Sequence, residues 1–175
     1  MKSAWNLFLF LLMTLPVAAF AAPTAWEQVA IDAVTAMNKG NGERFYELAH
    51  PDLLSEARAT VRSIFEEKNE PDVIAEMLAA YGVQTVDELF ALEDKPFVVG
   101  LVRYIHANMP AESQWSLANA KLSILESKEE DGKQLVSLQM DFFAEGKGQS
   151  TQINLWVAQS EGTWKYIGEK QSKYH

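Results

Sequence analysis

The stretch from Leu117 to Glu169 constrains this chain more than any other. In Leu135-Val136-Ser137-Leu138-Gln139-Met140-Asp141-Phe142, the residues Val136, Leu138, Met140 and Phe142 fall on one side, and Ser137, Gln139 and Asp141 on the other. Thr151 to Val157 repeats the pattern with Ile153, Leu155 and Val157. Side chains alternate across a β-strand, so a period of two means one buried face and one wetter face. Four strands are predicted, Trp115 to Ser127, Lys133 to Ala144, Gln149 to Gln159 and Thr163 to Glu169. Glu130-Asp131-Gly132, Glu145-Gly146-Lys147-Gly148 and Glu161-Gly162 supply the turns, each with a glycine that accepts positive φ, so neighbours should be antiparallel.

A sheet with one apolar face needs a cover, and the first half of the chain is helical in pattern. Trp26, Val29, Ala30, Ala33, Val34 and Met37 keep helical spacing after Thr24, a capping residue, and Gly40 stops the run. Helices are also predicted over Glu43 to Ala49, Leu53 to Glu67, Asp72 to Tyr81, Thr85 to Leu92 and Pro96 to Met109. Thr85-Val86-Asp87-Glu88 has the form of a capping box. The fold class is therefore α+β, N-terminal helices packed on a four-stranded antiparallel sheet. Leu138, Met140, Leu155 and Val157 are expected to pack against the Pro96 to Met109 helix through residues such as Leu101 and Ile105.

Met1-Lys2, the apolar run Leu7 to Leu15, Pro16 and then Ala19-Phe20-Ala21 have the form of a cleavable export signal. The run is about half the ~20 residues that span a bilayer. Residues 1–21 are expected to be removed, leaving 22–175 as one domain with no membrane anchor, periplasmic if the source is Gram-negative and otherwise secreted. There is no cysteine, which excludes disulfides and thiolate metal sites. From Pro23 to Glu112 the chain carries 16 acidic against 7 basic residues, a charge that repels phosphate backbones and anionic lipid and argues against nucleic-acid partners.

Two stretches resemble the nuclear-transport-factor-like superfamily, the cone-shaped fold shared with ketosteroid isomerases and polyketide cyclases. They are Val29 to Pro51, with Gly42-Glu43-Arg44-Phe45-Tyr46-Glu47-Leu48, and Asn154 to Gly168, with Glu161-Gly162-Thr163-Trp164-Lys165-Tyr166-Ile167. The resemblance implies a curved, cone-like sheet, and it carries no activity with it, since that superfamily holds enzymes and non-enzymes alike.

Its isomerases use a carboxylate base with a tyrosine or protonated acid in an apolar pocket. The corresponding candidates are Asp141, Tyr104 and His106, with Tyr81, Trp115 and Trp164 as ligand-lining candidates. Asp141 alternates away from the predicted core, and His106 falls off the inner stripe of its helix, so an exposed position is the simpler reading of both. His50-Pro51-Asp52 matches the tripeptide of J-domain co-chaperones. Its simpler reading is a helix break, with Asp52 capping the next helix. The three histidines, His50, His106 and His175, have no ligand spacing, so neither metal nor cofactor is expected. Three functions remain open: a non-catalytic domain binding a small apolar molecule or a protein partner, an isomerase- or cyclase-type enzyme, and an envelope assembly protein. Phe143 and Trp156 share the outer sheet face, where they could join two copies in a homodimer or stack on each other.

Overall fold

The computed structural model describes residues 22–68 and 71–169. The export-signal reading and His175 lie outside those residues. Seven helices among the described residues precede the sheet: α1 (Ala25–Asn38), α2 (Gly42–Leu48), α3 (Pro51–Lys68), α4 (Pro71–Tyr81), α5 (Val86–Ala91), α6 (Asp94–Ala107) and α7 (Ala111–Ala118). Four strands follow, β1 (Lys121–Glu130), β2 (Lys133–Ala144), β3 (Lys147–Ser160) and β4 (Thr163–Glu169). They form one antiparallel sheet in the order β1-β2-β3-β4, not closed into a barrel. The chain is thus an α+β fold with helices packed on a sheet.

Each hairpin turns through two residues with positive φ: Asp131 (53°) and Gly132 (74°), Glu145 (53°) and Gly146 (71°), Glu161 (51°) and Gly162 (77°). Positive φ at both central positions is the type I′ geometry, whose twist matches that of the strands it joins. The register then follows without slippage from Gln134↔Val157 to Ala144↔Lys147. Irregularities at Ile124/Glu126 and Trp156/Val157 interrupt the outer pairings, and Leu125 stands half in solvent at the first of them.

Val136, Leu138, Leu155 and Val157 are fully buried, in one cluster with Ala30. The cover over the sheet is α1, through Trp26, Val29, Ile31 and Val34, and not the Pro96 to Met109 helix expected from sequence. Ala30, Ala33 and Ala36 explain this: their small side chains let the helix approach the strands closely. Leu101 packs instead into a second cluster built from Leu54, Val61, Met77, Leu89, Phe97, Val98 and Val102. There, α6 lies against α2 and α4. A Cβ on Gly42 would come within 2.7 Å of the Val99 backbone, so only glycine permits the α2–α6 approach. Met140 is half-buried rather than buried, and its sulfur accepts from Asn38 Nδ2 at 3.5 Å.

The two clusters meet along β4. Phe45 of α2 stacks edge-on to Tyr166 with centroids 5.8 Å apart, His50 N–H donates to the Tyr166 carbonyl at 2.8 Å, and Lys165 Nζ donates to the Glu47 carbonyl. At His50-Pro51-Asp52 the helix begins at Pro51, whose missing N–H costs nothing in the first turn. Asp52 is therefore inside the helix and does not cap it. His50 Nδ1 accepts the Asp52 N–H at 3.2 Å in its place.

The first strand is shorter than expected. Residues 111–118 are helical, because Pro110 starts a fresh turn followed by the helix formers Ala111 and Glu112. Gln114 N–H closes that turn onto the Pro110 carbonyl at 2.9 Å, and Asn119 ends the helix by donating to the Trp115 carbonyl. Trp115 is thus a helix residue, not a strand residue.

Candidate functional site: an open aromatic groove

The short helix α7 is pinned to the end of β2 by a single hydroxyl. β1 begins only at Lys121, which pairs with Asp141, so the backbone of Phe143 has no strand beside it there. Ser116 Oγ takes that place: it accepts the Phe143 N–H at 2.9 Å and donates to the Phe143 carbonyl. Ser116 is 3% exposed. The next residue back, Trp115, is thereby held beside the sheet with its ring largely in solvent.

Between α7 and the sheet lies a groove of about 470 Å³. Trp115, Phe142 and Phe143 give its apolar surface, and Asn119, Lys121, Asp141 and Ser150 its polar rim. Trp115 is 63% exposed and Phe143 57%, the two largest side chains left in water among the described residues. The room beside Phe143 comes from β3, where its cross-strand partner is Gly148 and a Cβ there would meet nothing within 4 Å. Ligand pockets commonly fall between 300 and about 1,000 Å³, so the volume suits a small molecule.

Asp141 sits on this rim, on the sheet face opposite α1. Gln139 Nε2 donates to it at 2.9 Å. A hydrogen bond from Ser150 and then that of Gln139 hold its carboxyl below the usual value, against a slight desolvation and with help from the charge of Lys121. It is an ionised, solvent-reached carboxylate, the reverse of the raised acid that an oxyanion-holding isomerase needs.

The other sequence candidates are dispersed. Tyr81 packs on Phe97 at 5.4 Å between centroids, with its hydroxyl buried and unpartnered, and burial pushes its pKa up. Tyr104 is half-buried against the helical cluster, and the His106 ring faces Gly40. Trp164 stacks edge-on to Trp26 at 5.5 Å beneath α1, far along the sheet from the groove. Of the ligand-lining candidates only Trp115 reaches the groove. Trp156 lies opposite Leu135, and Phe143 opposite Gly148, eight residues along β2, about 27 Å at strand rise. The two aromatics therefore do not stack within one chain. They stand at opposite ends of the outer face, separated by the polar pairs Ser137–Asn154 and Gln139–Asp141.

A second cleft, about 220 Å³, opens between α1, α2 and the sheet. Met37, Met109, Met140, Ile153 and Tyr166 line it. Burial, and secondarily the charge of Glu169, raises the Tyr166 phenol, which stays protonated at neutral pH. Glu169 itself is exposed. Sequence reading passed over Ser116, Gly148 and Tyr166 as site residues. Sequence placed Ser116 inside the first strand and Gly148 in a turn, so neither stood out before the fold put one ahead of β1 and the other within β3.

Among the described residues no helix is long and apolar enough to cross a membrane, and no group of three or more histidine, cysteine, aspartate or glutamate side chains could hold a metal ion. Compared with protein-family models, with curated proteins and with solved structures, the chain matches none of them. The fold and the groove define it as an α+β chain with an open aromatic groove beside the sheet.

Proposed function

We propose that this chain is an exported, non-catalytic binding domain of the nuclear-transport-factor-like kind, and that the groove between α7 and β2–β3 receives the apolar part of a small molecule. One observation carries the reading: Trp115 and Phe143 are held in solvent around a groove of about 470 Å³, where burying them would be worth more than anywhere else on the described surface. The lowered pKa of Asp141, and its distance in the fold from Tyr81, Tyr104 and His106, favour binding over isomerase chemistry. The signal-like residues 1–21 support export, and helices followed by an antiparallel meander support the superfamily.

Gly148 gives a clean test. Valine there adds a side chain into open space in a strand position that suits it. The neutral probe N-phenyl-1-naphthylamine should fluoresce on binding the native chain, and Gly148→Val and Trp115→Ala should each weaken that binding at least tenfold. Unchanged binding in both variants would reject the groove as the site.

A further inference from the structure

Resting on that reading, we infer that the groove's ligand is a small molecule with a quaternary ammonium group, its cation among Trp115 and Phe143 and Asp141 as its counter-ion. Asp141 and Phe143 are two apart on β2 and so share a face. The carboxylate accepts from Gln139 and Ser150, two neutral donors that fix its position without cancelling its charge. An uncharged apolar ligand filling the groove would cover that charge without compensating it, which is unfavourable. A quaternary ammonium meets both demands. Its methyl groups take the apolar contact, its charge is attracted to the ring faces and to the carboxylate, and its weak hydration makes it cheap to bury. The chain's net charge of −9 also draws cations toward it at low ionic strength. Gly148 leaves the space such a head group needs. Lys121, in register with Asp141 across β1, is the opposing contribution: its ammonium competes for the same carboxylate. That competition gives the inference two mutations with effects of opposite sign.

The test is a calorimetric titration of the full chain with choline, with its uncharged isostere 3,3-dimethylbutan-1-ol and with N-acetyl-lysine amide. Choline is expected to bind at least tenfold more tightly than the isostere. Asp141→Asn should remove that difference, weakening choline while the isostere binds at least as tightly as to the native chain, which also reports an intact groove. Lys121→Gln should tighten choline severalfold. Equal affinity for choline and the isostere overturns the inference and leaves the apolar binding site standing. Tighter binding of N-acetyl-lysine amide than of choline overturns it in favour of a partner protein's lysine. Failure of choline to bind overturns it as well. Only a simultaneous loss of N-phenyl-1-naphthylamine binding would take the proposed function with it.

Discussion

Replacing Ser116 by alanine removes one oxygen and should loosen the whole of α7. That oxygen satisfies two backbone groups of Phe143 at once, in a side chain that is 3% exposed. Alanine nearly keeps the packing volume and gains slightly in helix propensity, so any loss falls on the hydrogen bonds. Leaving a buried donor or acceptor without a partner costs about 1–3 kcal/mol. Water can reach the sheet end beside α7 and repair part of this, which places the expected loss near 2 kcal/mol, toward the middle of that range. For a domain of this size each kcal/mol lowers Tm by about 2–4 °C, so a fall of about 4–8 °C is expected. Urea unfolding followed by tryptophan fluorescence measures the stability, and amide exchange at Phe143 reports the local effect. The Phe143 amide should exchange much faster while amides in the centre of β2 keep their protection. A stability change below about 0.5 kcal/mol, the range of ordinary surface substitutions, would refute the reasoning, as would an unaltered Phe143 amide.

Leu138→Ala and Leu155→Ala, each at fully buried positions, should cost about 2–5 kcal/mol in urea unfolding. Gly42→Ala should cost about 1–3 kcal/mol, because the new methyl meets backbone rather than a movable side chain. Desolvation is the largest single influence on the Glu27 carboxyl and raises its pKa, but the Thr24 N–H and the Ser127 and Thr24 hydroxyls together outweigh it and leave the group below its ordinary value. Its folded pKa is depressed, so its contribution is full above the unfolded value and is lost as pH falls through the folded one. Glu27→Gln should therefore lower Tm at pH 7 and flatten the acid limb of the Tm–pH profile below pH 4.5, which a series of melts will check. The outer-face proposal is a homodimer built on Phe143 and Trp156. Sedimentation at micromolar concentration would then show a dimer that Trp156→Glu dissociates.

What the sequence made legible depended on the range of the interaction responsible. The alternation of Val136 to Phe142 and the Asp-Gly and Glu-Gly turns are local, and they carried the strands, their order and their inner face. The capping box at Thr85 was equally local, and the Glu88 N–H does donate to the Thr85 hydroxyl at 3.2 Å. Which helix covers the sheet was not local. The longest apolar helix was the obvious choice, yet apolarity on several sides of α6 serves a second cluster of helices, while the alanines of α1 set the closer approach. Trp115 falls within the strand expected over Trp115 to Ser127, although Pro110 restarts a helix just ahead of it. The groove itself was invisible in sequence. It arises where α7 meets the end of β2, from a glycine opposite Phe143 and a serine hydroxyl standing in for a strand, and neither has meaning until the chain has folded.

The most direct measurement is a two-dimensional amide NMR titration of the native chain with N-phenyl-1-naphthylamine. The account expects shifts confined to residues 115–121, 141–143 and 148–150, around the groove. Shifts gathered instead on Met37, Met140, Ile153 and Tyr166 would place binding in the cleft between α1 and the sheet and contradict it.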